Sequence, residues 1–225
     1  MKKMKIGLIH ATMNSVSPIL QAFSTLDEDI DLINFMDEGL IYELNETNKV
    51  TNRMIMRLSE LAGKAVESNV DAILFTCSSF TPYVARIMKL MPVPVLSSDE
   101  SMLEKAIDQS DQIAVIATVK AAGPTSKKML EKIAIEKKKK VTIDVHVIEN
   151  AFQALQDGNS NLHDQLIQEK IAEKQDVDTI VLAQYSMARA THHKMPEKVL
   201  TGPQVSAEEI VKLAKENAAA KEKKS

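Results

Sequence analysis

Short apolar runs alternate with longer amphipathic stretches along the whole chain. The runs Lys5–His10, Asp31–Met36, Ala72–Cys77, Val93–Leu96, Gln112–Thr118, Thr142–Ile148, Thr179–Ala183 and Lys198–Leu200 read as strands. Most are continuous and rich in Ile, Val and Leu, as expected of strands covered on both faces. The stretches Ser15–Phe23, Glu46–Ser68, Thr81–Met91, Ser98–Ser110, Pro124–Glu136, Asn161–Lys174 and Ala207–Ala219 carry helical patterns. A Ser-Pro pair opens the first of them, and "SSDESMLEKA" carries a capping signature before the fourth. Strand and helix in alternation predict a parallel sheet with helices on both faces.

The pattern repeats once. Ile6-Gly-Leu-Ile-His-Ala aligns with Ile113-Ala-Val-Ile-Ala-Thr, and "DAILFTCSSF" aligns with "DTIVLAQYSM"; Ile6 to Ile113 and Asp71 to Asp178 are both steps of 107. The expected architecture is therefore α/β, with two pseudo-symmetric Rossmann-like lobes, parallel sheets and a cleft between them. The lobes are read as 1–111 and 112–225, with the last helix a candidate to pack back on the first lobe. Open α/β sheets bind ligands beyond the carboxyl ends of their strands. Under the 107-residue step Cys77 matches Gln184 and Ser79 matches Ser186, so "CSS" and "QYS" become the places to seek chemistry.

Composition narrows the class. With 44% hydrophobic and 26% charged residues in 225, the chain reads as a soluble globular protein with a substantial core. A net charge of −3 gives no basic surplus for nucleic acid. No apolar run approaches the roughly 18 residues a membrane helix needs. The segment after "MKK" is too short for a signal peptide and reads as a strand, so the cytoplasm is expected. A single cysteine excludes an intramolecular disulfide and fits that compartment. "EKKKKV" and the terminal "NAAAKEKKS" read as a solvated helix end and a fraying tail.

Cys77 carries the sharpest question. Unpaired cysteines are among the most buried residues, and a packing role is the bland reading. This one ends an apolar strand and precedes a helix start, where backbone amides and the helix dipole lower a thiol pKa and attract carboxylates. Thr12 and Asn14 leave the first strand at the same end of the sheet, and Thr118 leaves its counterpart; capping and turns are the alternative roles. Asp37-Glu38-Gly39 either lines the same end or forms a turn. The histidines His10, His146, His163, His192 and His193 form no protease signature with Cys77. His163-Asp164 reads as a surface pair on a polar helix start. His192-His193 is adjacent and lacks ligands at zinc-like spacing, so no metal is expected. "GLIHATMNS" lacks the glycine-rich turn of a dinucleotide or P-loop site.

"KIGLIHAT", "INFMDEGL", "ILFTCSSF", "VPVLSSDE", "IAVIATV" and "IVLAQYSMAR" follow one another in the order seen in the aspartate/glutamate/hydantoin racemase superfamily, which the chain resembles over nearly its whole length. The resemblance implies a two-lobe enzyme that draws a proton from the carbon next to a carboxylate, with neither metal nor pyridoxal phosphate. It implies two cysteines, one per lobe, working on opposite faces of the substrate. Cys77 takes the first place, with Ser78 and Ser79 as carboxylate-binding neighbours. Gln184 takes the second, and an amide does not exchange a proton near neutral pH. Thr118, Tyr185 and Ser186, with Thr12 and Asn14, complete the candidate substrate-binding set. The expected function is a cofactor-independent racemase or isomerase acting on a small aspartate- or glutamate-like carboxylate, with Cys77 as acid and base. A one-thiol decarboxylase or lyase of the same fold, and a carboxylate-binding protein without turnover, are the alternatives. His10 or a water is a candidate to serve the second face. A homodimer is the expected assembly, because two-fold dimers are the commonest.

Overall fold

The computed structural model describes residues 3–191 and 196–222. In chain order the elements begin with β1 (Met4–His10), a 3-10 turn (Met13–Ser15), α1 (Val16–Ser24), β2 (Ile30–Met36), α2 (Gly39–Thr47) and α3 (Asn52–Glu67). They continue with β3 (Ala72–Phe75), a second 3-10 turn (Ser78–Phe80), α4 (Thr81–Met88), β4 (Val95–Ser97) and α5 (Glu100–Gln109). Then come β5 (Gln112–Ala117), α6 (Ala122–Glu136), β6 (Thr142–Val147), α7 (Glu149–Gln156) and α8 (Ser160–Glu173). The last are β7 (Thr179–Leu182), a third 3-10 segment (Tyr185–Thr191), β8 (Val199–Thr201) and α9 (Gly202–Glu222).

The chain divides into two compact units, Met1–Ser98 with Ser206–Ser225, and Asp99–Val205. This division differs from one near Asp111 by α5. That helix buries Met102, Leu103, Ala106 and Ile107 in one cluster with Val115, Val181 and Leu200 of the second unit. The α9 helix contributes to both units, its first residues to the second and the rest to the first.

Each unit holds one four-stranded parallel sheet, in the order β2-β1-β3-β4 and β6-β5-β7-β8. The repeat seen in the sequence is a repeat of register. Ile6 pairs with Ala72 and Ile113 with Thr179, 107 residues on. The backbone closes the same way at both ends. Asp71 N–H donates to Lys5 O at 2.7 Å, and Asp71 Oδ2 accepts Lys5 N–H at 2.8 Å. Asp178 N–H donates to Gln112 O at 3.0 Å, and Asp178 Oδ2 accepts the N–H groups of Gln112 and Asp111 at 2.9 Å. Those backbone bonds, Gln112 first, hold the Asp178 carboxyl below its ordinary range. At the carboxyl end Thr76 N–H donates to Ile9 O at 3.0 Å, and Ala183 N–H donates to Ile116 O at 2.9 Å.

Burial explains the strand compositions. Residues 6–10 of β1, all of β3, residues 113–117 of β5 and all of β7 are buried, so each central strand is apolar on both faces. The α3 helix lays Met54, Leu58, Leu61, Ala62 and Ala65 on the first sheet, an i, i+4, i+7 stripe. Thr51 caps its start by accepting Met54 N–H at 3.2 Å. In both sheets the order reverses beside the first strand, between β1 and β3 and between β5 and β7. At such a switch point the adjoining loops diverge to opposite faces and leave a crevice at the carboxyl ends. In the first unit that edge carries His10–Ser15 and Thr76–Ser79. In the second it carries Thr118 and Gln184–Ser186.

Four details depart from the sequence reading. β3 stops at Phe75, so Cys77 is not in the strand; it caps the 3-10 turn Ser78–Phe80, with Phe80 N–H donating to Cys77 O at 3.2 Å. A helix, α2, follows the Asp37-Glu38-Gly39 turn, and α3 begins at Asn52, after a break in which Asn48 takes φ 52°. The α7 helix occupies a stretch with no helical expectation. His163 is fully buried, not a surface residue.

Candidate active site

The first unit places a buried polar cluster directly behind Cys77. His10 ends β1 with no exposed surface. Its Nε2 lies 2.9 Å from Asn34 Oδ1, and its Nδ1 lies 2.7 Å from Thr76 Oγ1 and 3.0 Å from Ser15 Oγ. The amide oxygen of Asn34 only accepts, which assigns the proton of the neutral ring to Nε2 and leaves Nδ1 as an acceptor between two hydroxyls; Thr76 Oγ1 also reaches Ile9 O at 3.1 Å and Ser15 Oγ at 2.9 Å. Ser15 Oγ then donates to Thr12 O at 2.9 Å. Burial pushes the His10 pKa down, and the bond to Asn34 opposes that only in part. Both ring nitrogens are engaged, so His10 fixes the strand exit and has no nitrogen left to serve a substrate face. Thr12 Oγ1 caps the first 3-10 turn through Asn14 N–H at 3.3 Å, and the Asn14 side chain is exposed.

Cys77 itself is half-buried, one residue beyond this cluster. Its side chain packs against the first core cluster, to which Phe75, Phe80 and Val84 belong. Ser78 is half-buried and Ser79 exposed. The two precede α4, which has Pro82 in its first turn and therefore no demand for that N–H. Asp37, beyond β2, is not directed to a ligand here. Arg57 holds it through Nε at 2.8 Å and Nη2 at 2.5 Å, while Nη1 of the same residue reaches Glu43 at 3.1 Å.

In the second unit the position equivalent to Cys77 is Gln184, one residue past the Ala183 bond that matches the Thr76 bond. Gln184 Oε1 accepts Thr118 N–H at 2.8 Å, and Gln184 Nε2 donates to Thr118 Oγ1 at 2.8 Å. The backbone donor fixes which end of the amide is oxygen. Thr118 is 2% exposed and Gln184 half-buried. Ser186 is half-buried beside them, whereas Tyr185 turns inward and is buried. A Cβ on Gly202 would meet the Tyr185 ring at 2.7 Å, so the ring rests on the backbone at the start of α9.

Behind Ser186, Arg189 Nε donates to both oxygens of Asp164 at 2.9 and 3.0 Å, and Asp164 Oδ1 lies 2.8 Å from His163 Nδ1. The chain ties the 3-10 segment Tyr185–Thr191 to the first turn of α8. His163 Nε2 has no partner among the described residues. The sequence reading did not join Asn34 or Thr76 to His10, nor Arg189 to the His163-Asp164 pair. These are ordinary polar residues 24 to 66 positions from their partners. His146 lies on β6, where burial first and then Lys174 and Lys170 push its pKa down; it is not part of either strand-exit group. His192 and His193 lie outside the described residues. Among the described residues no group of three or more His, Cys, Asp or Glu side chains is placed to hold a metal ion, and no helix is long and apolar enough to cross a membrane.

Two four-stranded parallel sheets related by an internal repeat can be set beside known proteins. The model of the Asp/Glu/Hydantoin racemase family matches residues 11–210. The chain belongs to that family. Its fold matches an aspartate racemase homologue from Pyrococcus horikoshii OT3 at 15% identity, with a TM-score of 0.69 over 96% of this chain and 100% of that one. It matches allantoin racemase from Klebsiella pneumoniae at 14% identity, TM-score 0.70, over 95% of this chain and 88% of that one. It matches a glutamate racemase from Francisella tularensis, solved with D-glutamate, at 13% identity, TM-score 0.63, over 96% and 82%. None of the curated proteins matches the chain in sequence. At these identities the neighbours establish the fold, and the family model establishes the membership.

Proposed function

We propose that this racemase-family protein is an enzyme acting on a small carboxylate, and that Cys77 moves a proton at the carbon next to the carboxyl group. The observation that carries the reading is the placement of Cys77: half-buried, at the carboxyl end of β3, on the side of the sheet where the switch-point crevice opens. As thiolate it takes the proton and as thiol it returns it, so no cofactor is required by the chemistry. Ser78 and Ser79 hold carboxylate oxygens. Donors fixed on a developing enediolate contribute roughly 3–4 kcal/mol each where such groups have been removed from other enzymes. Thr12 and Asn14 line the neighbouring strand exit.

The amide of Gln184 favours a second reading in parallel: a protein that binds the carboxylate without turnover. One experiment separates the two. The protein is incubated in deuterium oxide with L-aspartate, L-glutamate and a malonate series, and Cα–H exchange and carbon dioxide release are followed by NMR. Exchange that disappears in Cys77→Ala supports the proton-transfer enzyme. Carbon dioxide release dependent on Cys77 turns the reaction type to a one-thiol decarboxylase. Ligand-dependent thermal stabilisation with neither signal selects the binder.

A further inference from the structure

Asn34 stands apart from the rest of the polar cluster behind Cys77. It lies on β2, an outer strand of the first sheet, and it is exposed, whereas His10, Ser15 and Thr76 are buried. Among the described residues it is the one hydrogen-bond partner of His10 Nε2, at 2.9 Å. Hydroxyl, imidazole and amide follow one another in the order of a catalytic triad, but with both hydroxyls enclosed the series presents no nucleophile. Its geometry is that of a support.

The proton count shows what it supports. With the ring proton on Nε2, Nδ1 is bare and lies 2.7 Å from Thr76 Oγ1 and 3.0 Å from Ser15 Oγ. The carbonyls within reach of those hydroxyls already hold a backbone donor: Ile9 O takes Thr76 N–H at 3.0 Å, and Thr12 O takes Ser15 N–H at 3.3 Å. Nδ1 has no such donor, and an empty buried acceptor is unfavourable. One hydroxyl proton therefore belongs to Nδ1. Thr76 is the nearer donor, while Ser15 Oγ has Thr12 O at 2.9 Å. Asp37, the acid at this end of β2, gives His10 O its backbone N–H at 3.1 Å, but Arg57 grips its carboxylate. Burial and Asn34 are what act on the protonation of the ring. We propose that Asn34 is a positioning residue for Cys77: its amide oxygen fixes the His10 ring at Nε2, which leaves Nδ1 to seat Thr76 and, through it, the backbone of the next residue, Cys77. The effect on turnover rests on the function proposed above; the effects on the ring and on the thiol do not.

Imidazole nitrogen-15 NMR, iodoacetamide labelling of Cys77 and Cα–H exchange with L-aspartate and L-glutamate test this on the full chain, in the parent, Asn34→Leu and Asn34→Asp. Position 34 is exposed, so both variants should fold. Near pH 8 the parent should carry the ring proton on Nε2. Asn34→Leu removes the acceptor and should move that proton to Nδ1 and speed labelling at least threefold. It should lower kcat for exchange at least about threefold with KM little changed, a small part of the roughly 100-fold that a 1 Å misplacement costs. Asn34→Asp keeps an oxygen at the same place and near pH 8 should match the parent in all three readouts. Its carboxylate favours the imidazolium, so His10 should take its second proton at least about one pH unit higher than in the parent. Nδ1 then donates, the Thr76 seat reverses, and labelling and kcat should depart from the parent's below that pH. A parent ring with its proton on Nδ1, or an Asn34→Leu protein that labels and turns over like the parent, overturns the proposal. So does an Asn34→Asp protein whose His10 titrates as expected while Cys77 follows the parent throughout. If the parent exchanges no substrate, the ring proton and the labelling still decide the role of Asn34, and the enzyme reading is what fails.

Discussion

Thr76 Oγ1 sits 2.7 Å from Nδ1 of the buried His10, and Thr76 is the residue immediately before Cys77. The pair ties the end of β3 to the end of β1 from within. Burial favours the neutral imidazole here, because a charged ring would be held away from water.

That gives a signed pH dependence. The His10 pKa is lowered on folding, chiefly by burial. Between the lowered value and the ordinary value near 6.5, the unfolded chain binds the proton and the folded chain does not. Stability therefore falls as pH drops through about 6.5, and stops falling once the folded-state pKa is passed. Above about 6.5 this residue contributes no slope. Urea titrations between pH 4.5 and 8 on the protein and on His10→Gln should show a steeper acid loss in the histidine form. Parallel curves would remove His10 as the source.

Thr76→Val keeps the shape of the side chain and deletes the hydroxyl. His10 Nδ1 then retains only Ser15 Oγ, whose proton is committed to Thr12 O. Losing one partner in a buried network costs about 1–3 kcal/mol. The same variant should reduce turnover beyond any effect on folding, because the backbone that carries Cys77 loses its side-chain tie to His10 and keeps only the Thr76 N–H bond to Ile9 O. Denaturant melts give the first quantity, and isotope exchange on the folded variant gives the second. A stability change under a few tenths of a kcal/mol would show that the hydroxyl is not holding this junction.

Arg57 makes a different kind of contact. Its guanidinium grips Asp37 at two points and Glu43 at a third, linking the exit of β2, α2 and α3. The side chains are about a quarter exposed, 26% for Arg57 and Asp37 and 21% for Glu43, so solvent screens the pair only in part. Fork-to-carboxylate geometry favours Arg over Lys. Arg57→Lys should destabilise the protein by about 1 kcal/mol, and Arg57→Met by more, since it strands two carboxylates. Thermal unfolding of both variants in low and high salt checks the order; a variant pair indistinguishable from the parent would reduce the cluster to surface decoration.

What the sequence made legible, and what it hid, follows from the range of the interactions. The 107-residue repeat exposed the central strands, because β1 and β5, like β3 and β7, are buried on both faces and must be apolar throughout. It also marked Cys77 and Gln184 as equivalent, which the register bears out. The α2 and α7 helices were hidden for a local reason. In α2 only Leu40 is fully buried, and in α7 the buried residues are Ala151 and Ala154, whose short side chains write a faint pattern. His163 was misplaced because a neighbouring aspartate suggests solvent; in the fold that aspartate pairs with Arg189, 25 residues away. The two hydrogen bonds between Thr118 and Gln184 span 66 residues, and no local spacing rule reaches that far.

Alkylation reads the thiol directly. In the structure Cys77 is half-buried, so an acid/base role predicts labelling by iodoacetamide near neutral pH in the native protein, with protection by succinate. Mass spectrometry follows the adduct, and the rate against pH gives the thiol's own titration. Labelling only after denaturation would return Cys77 to a packing role against Phe75 and Phe80.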